Sequence, residues 1–351
     1  MHKTFRIRFG ISRPHNRISK IRTELSQSIQ NQKFAVAVGV TLLALSIPVE
    51  AQQPAPFRIG WISADSPSAG IDAFRSGMRD LGYVEGRNVI IDARWGDASN
   101  ERLEQLAAEL VRSNPRVIVT QAGIAVFAVR RAGAAMPIVF AFSGDPVEAG
   151  LVDSFARPGR NFTGMSFLAL ELVGKRVELL KETIPSLKRI AILANPQHPG
   201  EKAEREISQA AVKALGIAFE YFEVRPGSNF DNALAPIAKS RSEAVVVFPD
   251  AGMLRNSQRI AAFAVKNRIP AMSGWAEFAE RGNLMTYGPN LREGYRRLAV
   301  YVDKILKGAR PSELPVELPM KFELVINLKA AEQIGLTIPP NVLAQADRVI
   351  R

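Results

Sequence analysis

Polar side chains follow several short apolar runs of the sequence, at positions suited to binding a small polar molecule. Hydroxyls, carboxylates and amides can hydrogen-bond the charged or polar groups of such a molecule. If the apolar runs are parallel strands, these positions lie at the strand ends where loops and helix N-termini are exposed. The candidate ligand-binding residues are Ser63, Asp65, Gln121, Ala122, Ser143, Asp145, Asn195, Asp250, Trp275 and Tyr287.

The residue types in this set suggest separate tasks. Asp145 or Asp250 would accept hydrogen bonds from an ammonium group, and hydroxyls with helix N-termini would hold a carboxylate. Trp275 and Tyr287 would supply aromatic surface. A structural role is the alternative, because Asp is also a preferred cap of turns and helices, and Asp145 precedes Pro146 as in a helix start.

Motifs for catalysis or for resident cofactors are missing from the sequence. It contains no cysteine and three histidines, of which His198 alone follows an apolar run; we interpret it as an exposed loop residue. No G-x-G-x-x-G follows the first strand, and neither a P-loop nor an H-E-x-x-H motif occurs. We therefore expect no catalytic residue, no metal site and no cofactor.

The N-terminal region predicts export. The net charge is +12, and residues 1–51 hold eight Lys and Arg against two Glu, so half of the excess lies there. Residues 34–49 carry no charge, and Val49 and Ala51 are small residues at the positions a signal peptidase requires. Sixteen residues are short for a hydrocarbon core of about 30 Å. We expect residues 1–51 to be a signal peptide with a long basic n-region, cleaved after Ala51, and the mature protein to be periplasmic.

From residue 57 onward, β-rich apolar runs alternate with amphipathic segments, which predicts parallel βαβ units. The strands fall into two sets whose starts are offset by 128 to 133 residues, so the same order occurs twice. The first set covers residues 58–65, 88–95, 116–120 and 137–143, and the second covers residues 189–195, 217–224, 244–249 and 270–275. The predicted fold class is α/β, with two Rossmann-like lobes that each contain a parallel sheet.

The chain that follows the second set is long enough to return to the first lobe. We expect an N-terminal lobe over residues 57–164, completed by about 285–320. The C-terminal lobe would span residues 165–284 and be completed by part of 320–351. Several crossings of this kind would form a multi-strand hinge between the lobes.

Several sequence blocks resemble the ABC-transporter substrate-binding family typified by TrpX-like tryptophan-binding proteins. The similarity covers roughly residues 57–351, and position 160 departs from it with Arg where Gly is common. The matching blocks are residues 81–88, 145–152, 157–164, 287–288, 305–311, 314–317 and 322–327. The resemblance implies a type 1 periplasmic binding fold that closes on a small ligand and delivers it to a membrane permease. It also implies a monomer, and a ligand that is an amino acid or a related carboxylate or amide.

Two other functions use the same fold. A ligand-sensing regulator or sensory partner is one, with residues 1–50 binding DNA in the case of a transcription regulator; the uncharged run at residues 34–49 argues against DNA binding, so we expect no nucleic-acid partner. A sugar- or nucleoside-processing enzyme is the other, but it would need carboxylates clustered in one cleft. A solute-binding protein of an ABC importer remains the leading hypothesis.

Overall fold

The computed structural model describes most of the chain after residue 54. The described residues are Ser26, 55–65, 69–97, 99–225 and 227–351. The predicted signal peptide therefore lies outside them, apart from Ser26. Residues Ala55–Arg351 form one compact unit. Within the described ranges, no helix combines the length and the apolar character that a membrane span requires.

The first sheet has five parallel strands in the order β2-β1-β3-β4-β5. Its central strands are apolar along their whole length because helices cover both faces of the sheet, and every residue of the IVFAF strand is buried. The strands are β1 (Phe57–Ser63), β2 (Val89–Trp95), β3 (Val117–Gln121), β4 (Ile138–Phe142) and β5 (Phe162–Ser166).

The second sheet has seven strands in the order β12-β11-β10-β9-β8-β6-β7, and only the β10–β11 pair is antiparallel. The strands are β6 (Arg189–Ala194), β7 (Ala218–Glu223), β8 (Ala244–Val247), β9 (Ala271–Ser273), β10 (Met285–Pro289), β11 (Phe322–Asn327) and β12 (Arg348–Ile350). Its part β7-β6-β8-β9-β10 repeats the strand order of the first sheet. The prediction of an α/β fold with two mostly parallel sheets is confirmed.

The helices follow the predicted alternation with the strands. Five of the described helices begin at a residue whose side chain caps them: Ser99, for example, accepts a hydrogen bond from the backbone N–H of Arg102. The described helices are α1 (Ala69–Asp80), α2 (Asn100–Arg112), α3 (Gly123–Arg131), α4 (Val173–Thr183), α5 (Glu201–Ala214), α6 (Phe230–Lys239), α7 (Ala251–Arg255), α8 (Ser257–Asn267), α9 (Ala276–Glu280), α10 (Leu291–Leu306), α11 (Leu328–Ile334) and α12 (Pro340–Leu343).

The chain passes from one sheet to the other three times. After β5 it enters α4, which contacts β8, β9 and β10 of the second sheet. After β10 it enters α10, which packs on α1 and contacts β3, β4 and β5 of the first sheet. It then runs beside β5, where the Glu317 N–H donates to the Gly164 carbonyl, before β11 returns to the second sheet.

These crossings bear on the range 285–320, which the sequence assigns to the first lobe. Its strand β10 is hydrogen-bonded in the second sheet, whereas its helix α10 covers the first. The boundaries of the two lobes stay a prediction. The crossings also bring aromatic residues together, because the rings of Phe167, after β5, and Tyr295, in α10, lie 5.6 Å apart.

Candidate functional site

A cavity of about 900 Å³ lies between loops at the carboxyl ends of strands from both sheets. This size falls within the range of about 300–1,000 Å³ that is usual for small-molecule sites. The first wall, from the first-sheet side, consists of Ser99, Asn100, Glu101, Gly123, Ile124, Phe127, Arg131, Phe142 and Ser143. The second wall, from the second-sheet side, consists of Asn195, residues 197–199, 224, 225, 227–231 and 250–253, Arg255, Asn256 and Arg259.

Three of the ten predicted ligand residues, Ser143, Asn195 and Asp250, line this cavity. Asn195 directly follows β6 and accepts a hydrogen bond on Oδ1 from the N–H of Gln197, so its side chain helps to fix the loop that lines the cavity. The other seven predicted residues are not among those that line it. As predictions of ligand contact, all ten await a direct test.

Ser63 and Asp65 end β1 beside the cavity. Ser63 is fully buried, and its Oγ accepts a hydrogen bond from the Asp65 N–H at 3.3 Å. Asp65 Oδ1 lies 3.3 Å from Nη1 of Arg255, which belongs to the second wall. Burial raises the pKa of Asp65, and the charges of Arg255 and Arg281 oppose that rise. Asp65 therefore joins the two sides through an ion pair.

Gln121 and Ala122 connect β3 to α3. The Gln121 amide packs against Gly70 and hydrogen-bonds the hydroxyl of Tyr295. Ala122 has φ 73° and ψ 150°, an unusual conformation for a residue with a Cβ. It is the N-cap of α3, yet no side chain caps that helix. The residue that precedes the first-wall helix therefore has a strained backbone conformation.

The remaining predicted residues have structural partners or lie apart from the cavity. Asp145 Oδ1 accepts from the N–H groups of Val147 and Glu148 at 2.7 and 3.1 Å, which is the capping role. Trp275 is buried at the start of α9. Tyr287 packs against the core of the second sheet, and its carbonyl accepts from Arg176 Nε.

The N-terminus of α3 presents hydrogen-bond donors to the cavity. Gly123 and Ile124 are its first two residues, and both line the cavity. The first N–H groups of an α-helix have no acceptor within the helix, and the helix dipole makes this end partly positive. A Cβ at position 123 would lie 2.7 Å from the Phe142 ring, so glycine is required there. This end of α3 can hold a carboxylate.

Asp250 presents a carboxylate from the opposite wall. It is the N-cap of α7, and its Oδ1 accepts from the Met253 N–H at 2.6 Å. Its side chain is buried at the cavity surface, and Oδ2 has no hydrogen bond to any described residue. An ammonium group is a suitable partner for such an oxygen.

Ser143 and His198 join the two walls directly. Ser143 Oγ and His198 Nε2 are 2.8 Å apart and share a hydrogen bond. Next to them, the Asp145 N–H donates to the Pro199 carbonyl at 3.3 Å. A Cβ at Gly144 would lie 2.4 Å from that carbonyl oxygen, so the close approach depends on glycine.

The interpretation of His198 as an exposed loop residue was wrong. It is half-buried between β6 and α5, and it lines the cavity. Burial lowers the pKa of its imidazole, while Asp250, Glu148 and Glu201 raise it less strongly. Sequence reasoning missed this because a lone histidine in an Asn-Pro-Gln-His loop does not reveal that the opposite wall covers it.

Other cavity residues were missed because the ends of β2 and β7 were left out of the prediction. The loop after β2 brings Ser99, and the loop after β7 brings Arg225 and Phe230. Aromatic surface comes from Phe127 and Phe142, whose rings meet edge to face at 6.0 Å. Ligands bind near the carboxyl ends of parallel strands. If this rule had been applied to every predicted strand, it would have pointed to the loops that carry Ser99, Arg225 and Phe230.

Comparison with known proteins agrees with this arrangement of two sheets around one cavity. A profile of the family described as ABC transporter substrate binding protein matches residues 59–350. The protein belongs to this family. The resemblance in the sequence blocks, and the fold that it implied, are therefore confirmed.

Individual relatives of this substrate-binding protein are diverged. A tyrosine-binding protein of Clostridioides difficile (strain R20291) is 24% identical over 269 residues, which are 75% of this chain and 76% of that protein. A conserved domain protein from Vibrio cholerae is 30% identical with a TM-score of 0.76, and the match covers 84% of this chain and 99% of that one. A protein from Streptococcus pneumoniae, solved in complex with L-Trp, is 24% identical with a TM-score of 0.77 over 84% of this chain and 100% of that one.

A buried ion pair lies near the second wall of this substrate-binding protein. Arg176 Nη1, in α4, lies 3.2 Å from Glu204 Oε1, in α5, and both side chains are almost fully buried. Arg176 Nε also donates to the Tyr287 carbonyl at 2.9 Å. Burial raises the pKa of Glu204 to about 7, against the attraction of Arg176, and repulsion from Asp250 and Glu201 adds to the rise. The ion pair joins α4 to α5, and the hydrogen bond to Tyr287 joins α4 to β10.

Proposed function

We propose that this protein is an extracytoplasmic solute-binding protein of an ABC importer, without catalytic activity. It binds an amino acid, or a related carboxylate or amide, in the cavity between its walls and delivers it to a membrane permease. Membership of the substrate-binding family supports the role in transport. The export signal predicted over residues 1–51 supports a periplasmic location.

Two complementary features on opposite walls carry the ligand assignment. Gly123 and Ile124 offer N–H donors at a partly positive helix end. Asp250 offers a buried carboxylate oxygen across the cavity. An α-amino acid carries the matching carboxylate and ammonium groups, so one ligand can engage both walls.

Apolar side chains in the cavity suggest an apolar or aromatic ligand side chain. Phe127 and Phe142 line the first wall, and Phe230 and Met253 line the second. The name of the Clostridioides difficile relative, tyrosine-binding protein, points in the same direction. L-tyrosine and L-tryptophan are therefore the first probes.

A ligand that contacts both walls stabilises the arrangement in which the walls are close. Its effect is limited to the difference between its affinities for the closed and the open arrangement. Domain closure of this kind gives a permease a surface that differs between the loaded and the empty protein. The three chain crossings are the place where such a movement would bend.

Isothermal titration calorimetry of the purified protein with L-tyrosine and L-tryptophan tests the proposal. We expect one saturable site for at least one of them. Asp250→Asn should weaken that binding by about 10- to 100-fold, because hydrogen bonds to charged groups contribute about 1.5–3 kcal/mol. Asp80→Asn, at the far end of α1 and paired with Arg296, is the matched control and should bind like the wild type.

Two further experiments address export and transport. N-terminal sequencing of the protein recovered outside the cytoplasm should begin at Gln52 if cleavage follows Ala51. Cells that lack the gene should take up the labelled amino acid more slowly, and the Asp250→Asn variant should not restore uptake. Normal uptake in cells that lack the gene would reject the transport role, whereas normal uptake with the variant would remove Asp250 from the binding site.

A further inference from the structure

We infer that His198 couples ligand binding to proton concentration, because its protonated ring competes with the ammonium group of the ligand for the Asp250 carboxylate. This inference rests on the proposed function, since it takes Asp250 as the ammonium site. It makes His198 a residue that sets the affinity of the site without being its main contact.

The position of the His198 ring is fixed by contacts on both sides. Its backbone N–H donates to the Asn195 carbonyl at 3.0 Å, which holds the loop after β6. Its Nε2 is 2.8 Å from Ser143 Oγ on the first wall. The ring therefore lies at a contact between the two walls, and His198 is part of the cavity lining.

Three carboxylates from three different elements act electrostatically on this ring, and one of them, Asp250, lines the same cavity as His198. Asp250 lies at the start of α7, Glu148 in the turn after β4, and Glu201 at the start of α5. Glu201 already accepts a hydrogen bond from the Tyr221 hydroxyl and lies 3.5 Å from Arg205 Nε. Glu148 is exposed to solvent. Asp250, buried and with one oxygen unused, is the carboxylate most affected by a new charge on His198.

The neutral and protonated rings differ in charge more than in hydrogen bonding. Burial keeps the pKa of His198 below its ordinary value, so the ring is neutral at neutral pH and Asp250 is available to a ligand. Either form of the ring can hydrogen-bond a serine hydroxyl, which donates and accepts. Protonation therefore leaves the contact between the walls in place and adds a positive charge beside Asp250.

Calorimetric titrations with L-tyrosine and L-tryptophan between pH 7.5 and 5 test this coupling. We expect the affinity of the wild type to fall as the pH drops below the pKa of His198, approaching tenfold for each pH unit, and binding to release a proton. Both proteins carry Glu204→Gln in this comparison, because Glu204 has a pKa of about 7 and also interacts with Asp250. In that background, His198→Gln should bind with no such dependence over this range. Ser143→Ala removes the contact between the walls but keeps the imidazole, so it should retain the dependence.

Two results would overturn the inference. One is a wild-type affinity that rises at low pH, as expected if His198 instead attracts the ligand carboxylate. The other is an equal pH dependence in His198→Gln. A loss of the dependence in Ser143→Ala would also contradict it, because the effect would then arise from the hydrogen bond rather than from charge.

A titration of the free protein by NMR separates this inference from the proposed function. The His198 ring resonance is identified by its absence in His198→Gln, since the chain has only two other histidines. Asp250→Asn should lower the pKa of His198 further, because a neighbouring negative charge is removed. An unchanged pKa would refute the coupling even if amino acids bind. If neither amino acid binds, the proposed function fails and this titration alone decides whether the two groups interact.

Discussion

The two walls of the cavity come from sheets with the same strand order, yet they contribute different chemistry. The first wall presents backbone N–H groups at Gly123 and Ile124 together with aromatic rings. The second wall presents ionisable side chains, including Asp250 and His198. Under the proposed function, one wall would recognise a ligand through the fixed geometry of a helix end, and the other through charged side chains.

This difference gives a reason for the buried Arg176–Glu204 ion pair near the second wall. Backbone donors at a helix end keep their direction as long as the helix keeps its place on the sheet. Charged side chains that are buried need compensating partners around them. The buried Arg176–Glu204 pair is one such arrangement, and it interacts with the second wall, because the charge of Asp250 raises the pKa of Glu204. The second wall is therefore expected to be more sensitive to pH and to mutation.

The largest expected effect is that of Arg176→Ala on stability. Removal of one partner from a buried ion pair typically costs about 3–5 kcal/mol, because the other charge is left without compensation. Arg189→Ala is the control, since Arg189 forms an exposed pair with Glu220 and should change the free energy of unfolding by about 1 kcal/mol or less. Urea denaturation measures both. Similar losses in the free energy of unfolding would show that the buried Arg176–Glu204 pair contributes no more than an exposed pair.

The next effect concerns pH and Glu204. The unfolded chain releases this proton near the ordinary glutamate pKa of about 4.3, whereas the folded protein holds it up to about 7. The stability from this group is therefore complete below the unfolded pKa and is lost as the pH rises towards 7, by an amount of the order of 3 kcal/mol. Glu204→Gln should remove this part of the pH dependence in urea denaturation series at pH 4, 5.5 and 7. Parallel curves for variant and wild type would contradict the prediction.

A smaller effect is expected where the walls touch. Gly144→Ala places a Cβ against the Pro199 carbonyl oxygen and should force the walls apart. Overpacking of this kind costs about 1–3 kcal/mol, so ligand affinity should fall by roughly tenfold or more. Gly174→Ala is the control, because its Cβ would meet only Ala211 at 3.9 Å. Calorimetry measures the affinity, and solution scattering should show a larger radius of gyration for Gly144→Ala alone.

The smallest effect compares equivalent helix caps on the two sides. Ser99 caps α2 from the first wall, and Asn229 caps α6 from the second, each through one hydrogen bond to a backbone N–H. Ser99→Ala and Asn229→Ala should each lower the free energy of unfolding by about 1 kcal/mol. Thermal denaturation measures both, and the two losses should agree because caps do not depend on the chemistry of the wall. A clear difference between the two losses of stability would show that the walls also differ in how their helix caps contribute.

The sequence predicted the fold well because its signals are local. The IVFAF run and the offset of the two strand sets report burial and order directly, and the second sheet repeats the strand order of the first. The cavity was predicted less completely. Its composition depends on which loops face each other, and neither Ser143 nor His198 carries a local sign that the two side chains meet.

Some candidate residues are already engaged in contacts within the protein. The carboxylate of Asp145 is engaged by two backbone N–H groups of its turn, which the Asp-Pro pair already suggested as an alternative. Tyr287 contributes its carbonyl to Arg176, and no sequence pattern distinguishes such a backbone role from a side-chain role. Strand-end reasoning locates loops, but the contacts between loops decide which atoms are available.

The three chain crossings also have a consequence for the order of folding. One face of the first sheet is covered by α10, which ends at Leu306, far along the chain from β5. The second sheet is complete only when β11 and β12 are present. Neither half can therefore bury its apolar surface during early synthesis, and non-local contacts of this kind form slowly. If residues 1–51 are the proposed export signal, such a late-folding chain would remain extended long enough to pass through a secretion channel before its structure closes.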